Sequence, residues 1–172
     1  MTEAEEWSYA FARQARADLD AYNALSRSPD LPPCQRLHFL QMACEKASKA
    51  YELREGTLSE RTLTTHVVIA HNLPLIFRAY YQDTFGKTLH RYSPLLDRVR
   101  ALAREIELLA PASADGTRRP DNAEYPWRDA RGRVQTPALH DFRVAVDLDT
   151  PAGKALLKVL TPAIDDLLLV SS

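Results

Sequence analysis

The sequence has little glycine, little cysteine and no long apolar run. Five glycines and two cysteines occur among its 172 residues. Cys34 and Cys44 fall in what reads as one helix, about 15 Å apart along its axis, so we expect two reduced thiols and no disulfide. No apolar run approaches the roughly 20 residues that cross a bilayer, and the acidic N-terminus lacks the blocks of a signal peptide. We therefore expect a cytoplasmic protein with no membrane partner.

An excess of either charge is also missing. The chain carries 22 Lys and Arg against 23 Asp and Glu, for a net charge of -1. The chain as a whole therefore has no positive electrostatic field that would attract nucleic acid, and any such binding must come from a local basic patch. Gly-rich phosphate loops, G-x-S-x-G and H-E-x-x-H are absent too, which leaves the common motif-defined hydrolase and nucleotide-binding classes without support. We expect no cofactor.

Helical periodicity predicts an all-α fold in one domain, residues 1–172. The first three helices are predicted at about 4–25, 34–54 and 72–85, the third with Asn72 as its N-cap. The fourth opens with Ser93 as cap and Pro94 at its first position, and the last opens at Thr150 and Pro151. We predict an up-and-down bundle of about five helices, with a long loop, residues 111–149, before the last.

Two segments between these helices carry less regular patterns. Residues 58–70 allow two interpretations: Thr64 and Thr65 cap a helix that Pro74 kinks, or a short helix ends before Asn72. The Pro-rich loop 111–149 shows no helical period, and a hairpin is expected around residues 129–132. A connection of this length in a compact domain is usually functional or disordered.

The second predicted helix carries a polar stripe beside its apolar face. The stripe steps by three or four residues through His38, Gln41, Glu45, Lys49 and Glu52. The simpler interpretation is an i,i+4 pair of Glu45 with Lys49 among solvated neighbours. The alternative is a ligand-binding groove where three helices meet, lined by Asp18, His38, Gln41, Glu45, Lys49 and His71.

Asp18 falls in the middle of the apolar face of the first helix. A buried carboxylate needs a partner, because an unpaired buried charge costs several kcal/mol. We expect it to pair with Lys46, with Lys49 or with a backbone amide. The ligand-binding groove would also place Asp18 between the helices, so the sequence does not distinguish a structural ion pair from a binding site.

Four short motifs resemble those of HEPN domains, which are small prokaryotic helical bundles. Q-x-x-x-E-K-x-x-K-A-Y, residues 41–51, resembles the family's second helix, and Ala17-Asp18-Leu19 lies within a helix as in its first. Residues 71–75 resemble its H-x-L-P-x-L helix start, and 122–126 its Tyr-Pro loop, although Glu124 replaces the usual Arg. The resemblance implies a homodimer in a defence or toxin-antitoxin system, with a partner protein such as a nucleotidyltransferase or a helicase.

The resemblance also implies where a ribonuclease site would lie. Ribonucleases of this family carry an Arg followed by a His near the last helix, and Arg133 and His140 meet only the loosest spacing, with Pro137 between them. An Arg can clamp a phosphate while a His exchanges the 2'-hydroxyl proton. The poor match favours a non-catalytic module that binds a partner protein, a nucleotide or RNA. A metal-independent endoribonuclease is the alternative.

Two further sets of side chains are possible sites. The long loop interleaves arginines with aromatic residues, which suits a solvated loop or a protein interface better than nucleic acid because acids dilute the patch. Its candidate interface residues are Tyr125, Trp127, Arg128 and Arg131, with Arg118 and Arg119 earlier in the loop. Cys34, His38 and Cys44 do not converge on one helix, so we predict no metal site.

Overall fold

A computed structural model describes residues 2–56, 59–86, 91–112 and 120–169. Within these ranges the chain forms seven α-helices and one small hairpin. The helices are α1 (Glu3–Leu25), α2 (Pro33–Arg54), α3 (Glu60–Thr64), α4 (Ile69–Phe85), α5 (Ser93–Glu107), α6 (Arg143–Asp147) and α7 (Pro151–Leu168). The predicted all-α bundle is confirmed. None of the described helices is both long and apolar enough to cross a membrane.

The ends of the long helices follow local rules. Thr2 caps α1 in a capping box: its hydroxyl accepts the Glu5 N–H at 3.3 Å, and the Glu5 carboxylate accepts the Thr2 N–H at 2.6 Å. Thr150 caps α7 by accepting the Gly153 N–H at 3.3 Å. These local contacts explain why the predicted starts of the first and last helices are confirmed to within one residue.

The core forms around α2, which contacts α1, α3, α4, α5 and α7. Small buried residues line the contact of α1 with α2, and they let the two helices approach closely; they are Ala12, Ala15, Ala43, Ala47 and Ala50. Large apolar side chains of α2 and of the other helices fill the remaining space, and the fully buried ones include Leu37, Leu40, Phe77, Ile106, Leu156 and Ile164.

The predicted start of the third helix was wrong. α4 begins at Ile69, three residues before Asn72, and Pro74 lies inside it. Asn72 is buried and its side-chain amide donates to Glu52 Oε2 at 3.0 Å, so it does not cap the helix. An acceptor at the start of α4 comes instead from Glu107 of α5, whose carboxylate accepts the Ala70 N–H at 3.0 Å. That acceptor is supplied by tertiary packing, which no local pattern reports.

Two smaller boundaries are also resolved. The described part of residues 58–70 combines the two interpretations. The short helix α3 ends at Thr64, as in the second, whereas Pro74 lies inside the helix that follows, as in the first, although Val68 and not Thr64 or Thr65 is its N-cap. α5 includes Ser93 as its first residue and takes Tyr92 as its N-cap, so the predicted cap is wrong by one position, while Pro94 lies in the first turn as expected.

The loop before α7 carries more structure than its sequence indicated. The predicted hairpin is confirmed: strands β1 (Trp127–Arg128) and β2 (Val134–Gln135) pair antiparallel, and Gly132 adopts φ +76° in the turn. A 3-10 turn at Pro137–Leu139 and helix α6 follow. α6 was not predicted, because five residues are too few to show a helical period.

Candidate functional site

The polar stripe of α2 forms a buried network. Glu45 is its centre: Gln41 Nε2 donates to Oε2 at 3.0 Å, Lys49 Nζ lies 3.1 Å from Oε1, and His66 Nδ1 also lies 3.1 Å from Oε1. Only 1, 5 and 4% of Gln41, Glu45 and Lys49 is exposed. The predicted Glu45–Lys49 pair is therefore present, but its neighbours on the helix are buried where solvated ones were expected.

The segment that leads from α3 into α4 covers this stripe. Lys49 Nζ donates to the Leu63 carbonyl at 3.1 Å. One turn further along α2, Glu52 accepts the Thr62 hydroxyl at 2.9 Å and the Asn72 amide at 3.0 Å. Carboxylates with this many donors hold neighbouring elements together, because the loss of a partner leaves a buried charge such as Glu45 uncompensated. The network thus fastens residues 59–72 to α2.

Two other predicted groove residues have different partners. Asp18 Oδ2 lies 2.5 Å from Lys46 Nζ, and its Oδ1 accepts the Gln14 amide at 3.1 Å. Of the partners expected for Asp18, which were Lys46, Lys49 and a backbone amide, the structure shows Lys46. His38 Nδ1 lies 3.5 Å from Glu124 Oε1, which ties α2 to the loop before the hairpin. The structure thus distributes the predicted groove residues over several separate contacts.

The two weak catalytic candidates are held by different groups. Arg133 is largely exposed, and its Nε donates to Asp129 Oδ2 at 3.0 Å. The His140 ring packs edge-on against Trp127 and Phe142, with centroids 4.9 and 4.7 Å apart. Its Nε2 lies 3.8 Å from Asp121 Oδ2. Both side chains therefore contribute to the fold of the loop.

Contacts within the loop occupy two of the four predicted interface side chains, Trp127 and Arg128. Arg128 Nη1 donates to the Gly132 carbonyl at 2.8 Å, and the Arg131 N–H donates to Asp129 Oδ1 at 2.9 Å. Hydrogen bonds from the Arg133 N–H, the Gln135 amide and the Arg131 N–H lower the pKa of Asp129 to about 2. Trp127 is half-buried against His140, whereas 62% of Tyr125 is exposed. Arg118 and Arg119 lie outside the described residues.

His71 belongs to a different surface, which we call the α4–α5 cleft. It encloses about 230 Å³ between the two helices, and its lining residues are Ala70, His71, Pro74, Leu75, Arg78, Leu96, Arg100 and Arg104. The imidazole and the three guanidinium groups are all on exposed residues, and Pro74, Leu75 and Leu96 supply an apolar floor. The arrangement concentrates positive charge on a chain whose net charge is -1.

Little acidic charge opposes these arginines. Arg100 Nη1 pairs with Asp97 on its own helix at 2.8 Å. In the part of the chain that the structure describes, no carboxylate lies within 4 Å of the guanidinium of Arg78 or Arg104. Guanidinium groups bind carboxylates and phosphates through paired hydrogen bonds. The cleft therefore suits an anionic ligand.

Sequence reasoning missed the arginines of this cleft. The available signal was their spacing: Arg78 follows His71 by seven residues on α4, and Arg104 follows Arg100 by four on α5, so each pair shares a helix face. The packing of the two helices that brings both faces together was not visible in either pattern alone.

The cysteines and histidines form no metal site in the described ranges, where no group of three His, Cys, Asp or Glu is arranged to hold an ion. Cys34 and Cys44 are free and buried. Burial raises the pKa of the Cys44 thiol to about 12.

Comparison with protein-family models, with curated proteins and with the solved structures finds no match for this chain. The resemblance to HEPN domains thus depends on the four sequence motifs.

Proposed function

We propose that this chain is a non-catalytic, HEPN-like binding module whose α4–α5 cleft takes a phosphate-bearing ligand, with RNA as the first to test. The observation that carries the proposal is the cluster of three arginines and His71 beside Pro74, Leu75 and Leu96. In the part of the chain that the structure describes, Asp97 pairs with Arg100, and Glu107 accepts the Ala70 N–H at the edge of the cleft. Such a patch supplies the local positive field that the balanced net charge does not.

The absence of a catalytic role is supported by the contacts of Arg133 and His140. Each side chain already has partners within the loop, because His140 packs between Trp127 and Phe142 while Arg133 pairs with Asp129.

The four motifs that resemble HEPN domains fall in α1, α2, α4 and the loop at 122–126. By that resemblance we propose a homodimer in a defence or toxin-antitoxin system. Light scattering at micromolar concentration would test the homodimer.

RNA binding by the cleft can be measured by fluorescence anisotropy over a series of salt concentrations. The Arg78→Gln, Arg104→Gln double variant should raise Kd and make the log–log salt slope shallower by about 1.4, since each contact to a single-stranded phosphate contributes about 0.7. The matched control, Arg27→Gln with Arg61→Gln, removes the same charge from two exposed residues elsewhere. An equal effect of both variants would contradict a site at the cleft.

Free nucleotide and partner protein are the other outcomes. Competition of the labelled RNA by a nucleoside triphosphate would indicate a mononucleotide site. If the wild-type protein binds neither RNA nor a nucleoside triphosphate, the ligand to test next is a partner protein, starting with the product of a neighbouring nucleotidyltransferase or helicase gene.

The endoribonuclease alternative has its own test. Purified protein is incubated with structured RNA without metal, beside the Arg133→Ala, His140→Ala variant. We expect intact RNA in both reactions. If the wild type cleaves the RNA and the variant does not, the endoribonuclease interpretation would replace the proposed binding module.

A further inference from the structure

We infer that the seam between α4 and α5 binds single-stranded nucleic acid, with the sugar-phosphate backbone in the α4–α5 cleft and bases against an aromatic cluster at the end of the seam. The inference rests on the proposed function and names the ligand class of the same site. The aromatic cluster consists of Tyr81, Phe85 and Tyr92.

The charged and aromatic groups share one stripe on each helix. On α4, Phe85 follows Arg78 by seven residues, as Arg78 follows His71, so the three lie along one face over about 21 Å. On α5 and its cap, the seam residues recur every four positions, at Tyr92, Leu96, Arg100 and Arg104. The basic part of the seam therefore continues into the aromatic part.

Contacts between the helices show that the two stripes meet. The Phe85 and Tyr92 rings have centroids 5.1 Å apart, and Tyr81 lies 5.0 Å from Tyr92 and 5.2 Å from Phe85. At the other end, His71 and Arg78 line the same cleft as Arg100 and Arg104. Both helices thus contribute to each end of the seam.

The aromatic cluster is partly exposed at the end of the seam. Phe85 is 43% exposed, and Tyr81 and Tyr92 are partly exposed. Phe77, in contrast, is fully buried, and its ring stacks on Tyr81 with the two centroids 4.5 Å apart. Aromatic faces next to a basic groove are what proteins use to bind unpaired bases, since every base can stack.

A duplex fits this surface less well. Its bases are already stacked and paired, and proteins that recognise double-stranded RNA contact phosphates and 2'-hydroxyls over about 16 base pairs. The cleft spans only about 10 Å from His71 to Arg78, and the rest of the seam is aromatic. The seam therefore favours a flexible strand whose bases can turn toward the rings.

Binding of fluorescein-labelled oligo(U) and oligo(dT), about 12 nucleotides long to fit a typical single-strand site, tests the inference against the same strands in a duplex. We expect single strands to bind at least tenfold more tightly than the duplex. Phe85→Leu with Tyr92→Leu should raise Kd for single strands about tenfold or more and leave duplex binding unchanged. The matched control is Trp7→Leu, an aromatic residue 42% exposed on α1. Circular dichroism checks that each variant is folded.

Each outcome decides between the two proposals. Loss of binding in the arginine variant with no effect of the aromatic variant, or equal affinity for duplex, would keep the cleft and overturn the single-strand inference. Retained binding in both variants would overturn the cleft itself, as would no binding by the wild type. Equal affinity for oligo(U) and oligo(dT) would support the site with no choice of sugar, whereas tighter oligo(U) binding would support RNA.

If the aromatic variant unfolds, Phe85→Tyr keeps a ring at that position and should bind as the wild type does. Weakened binding by a folded Phe85→Tyr protein would contradict a stacking role, because a tyrosine ring stacks as well as phenylalanine.

Discussion

Lys49 and Glu45 form an ion pair one turn apart on α2, with 3.1 Å between Nζ and Oε1 and about 95% of each side chain buried. Pairs at this spacing usually lie on helix surfaces and contribute little to stability. Here α3 and the segment that follows it contact the pair, and both partners have further donors or acceptors. The contact therefore joins secondary-structure elements that are distant in sequence.

Lys49→Met should lower the free energy of unfolding by about 3 kcal/mol, because it leaves Glu45 charged and buried without its ammonium partner. Urea denaturation measures the change. The control Asp166→Asn breaks the exposed pair of Arg54 and Asp166, 2.6 Å apart, and should cost about 0 to 1 kcal/mol. A Lys49→Met cost as small as the control would mean that the pair is solvated.

The same substitution separates a structural network from a ligand site. Folded Lys49→Met and Glu45→Gln proteins should bind RNA as the wild type does, because the α4–α5 cleft lies elsewhere. Loss of binding without loss of stability would return the stripe of α2 to consideration as a ligand groove.

Gly153→Ala should destabilise the protein by about 1 to 3 kcal/mol, although Ala is normally the better helix former. A Cβ at position 153 would lie 2.4 Å from both the Cα and the carbonyl oxygen of Leu148, and backbone atoms cannot move aside as a flexible side chain can. Thermal or urea unfolding measures the loss. Lys154→Ala, exposed at the next position, should change stability by less than about 0.5 kcal/mol; a stabilised Gly153→Ala protein would contradict the close approach.

The hairpin should open in acid. The pKa of Asp129 is lowered to about 2, chiefly by the Arg133 N–H, so its contribution is present above the unfolded pKa near 4 and is lost as the pH falls through about 2. Fluorescence of Trp127 in a Trp7→Phe background reports the change, because Trp127 lies in β1.

Two controls isolate the hairpin in that titration. Far-UV circular dichroism at each pH should show the helices intact over the range in which the fluorescence changes. Asp129→Asn should remove the transition. A transition of the same midpoint in the Asn variant would assign the pH dependence to another carboxylate.

Local sequence rules predicted some features of the molecule and missed others. A partner for the Asp18 carboxylate, the hairpin around Gly132 and the start of the last helix at Thr150 depend on neighbouring residues or on a charge that must find a partner, and sequence rules address those directly. These rules did not predict α6, because it is short. They also did not predict the start of α4, because its acceptor, Glu107, lies 37 residues away in sequence.

The sequence by itself determined the helical class and the faces of the long helices, because a 3.6-residue period and local caps suffice for both. Only the tertiary structure decided which polar stripe is buried and which stays open. Gln41, Glu45 and Lys49 are covered because α3 and α4 fold back over α2, while Arg78, Arg100 and Arg104 form a cleft because α4 and α5 pack side by side. Such a choice depends on contacts between segments far apart in the chain, which the period of any single helix does not contain.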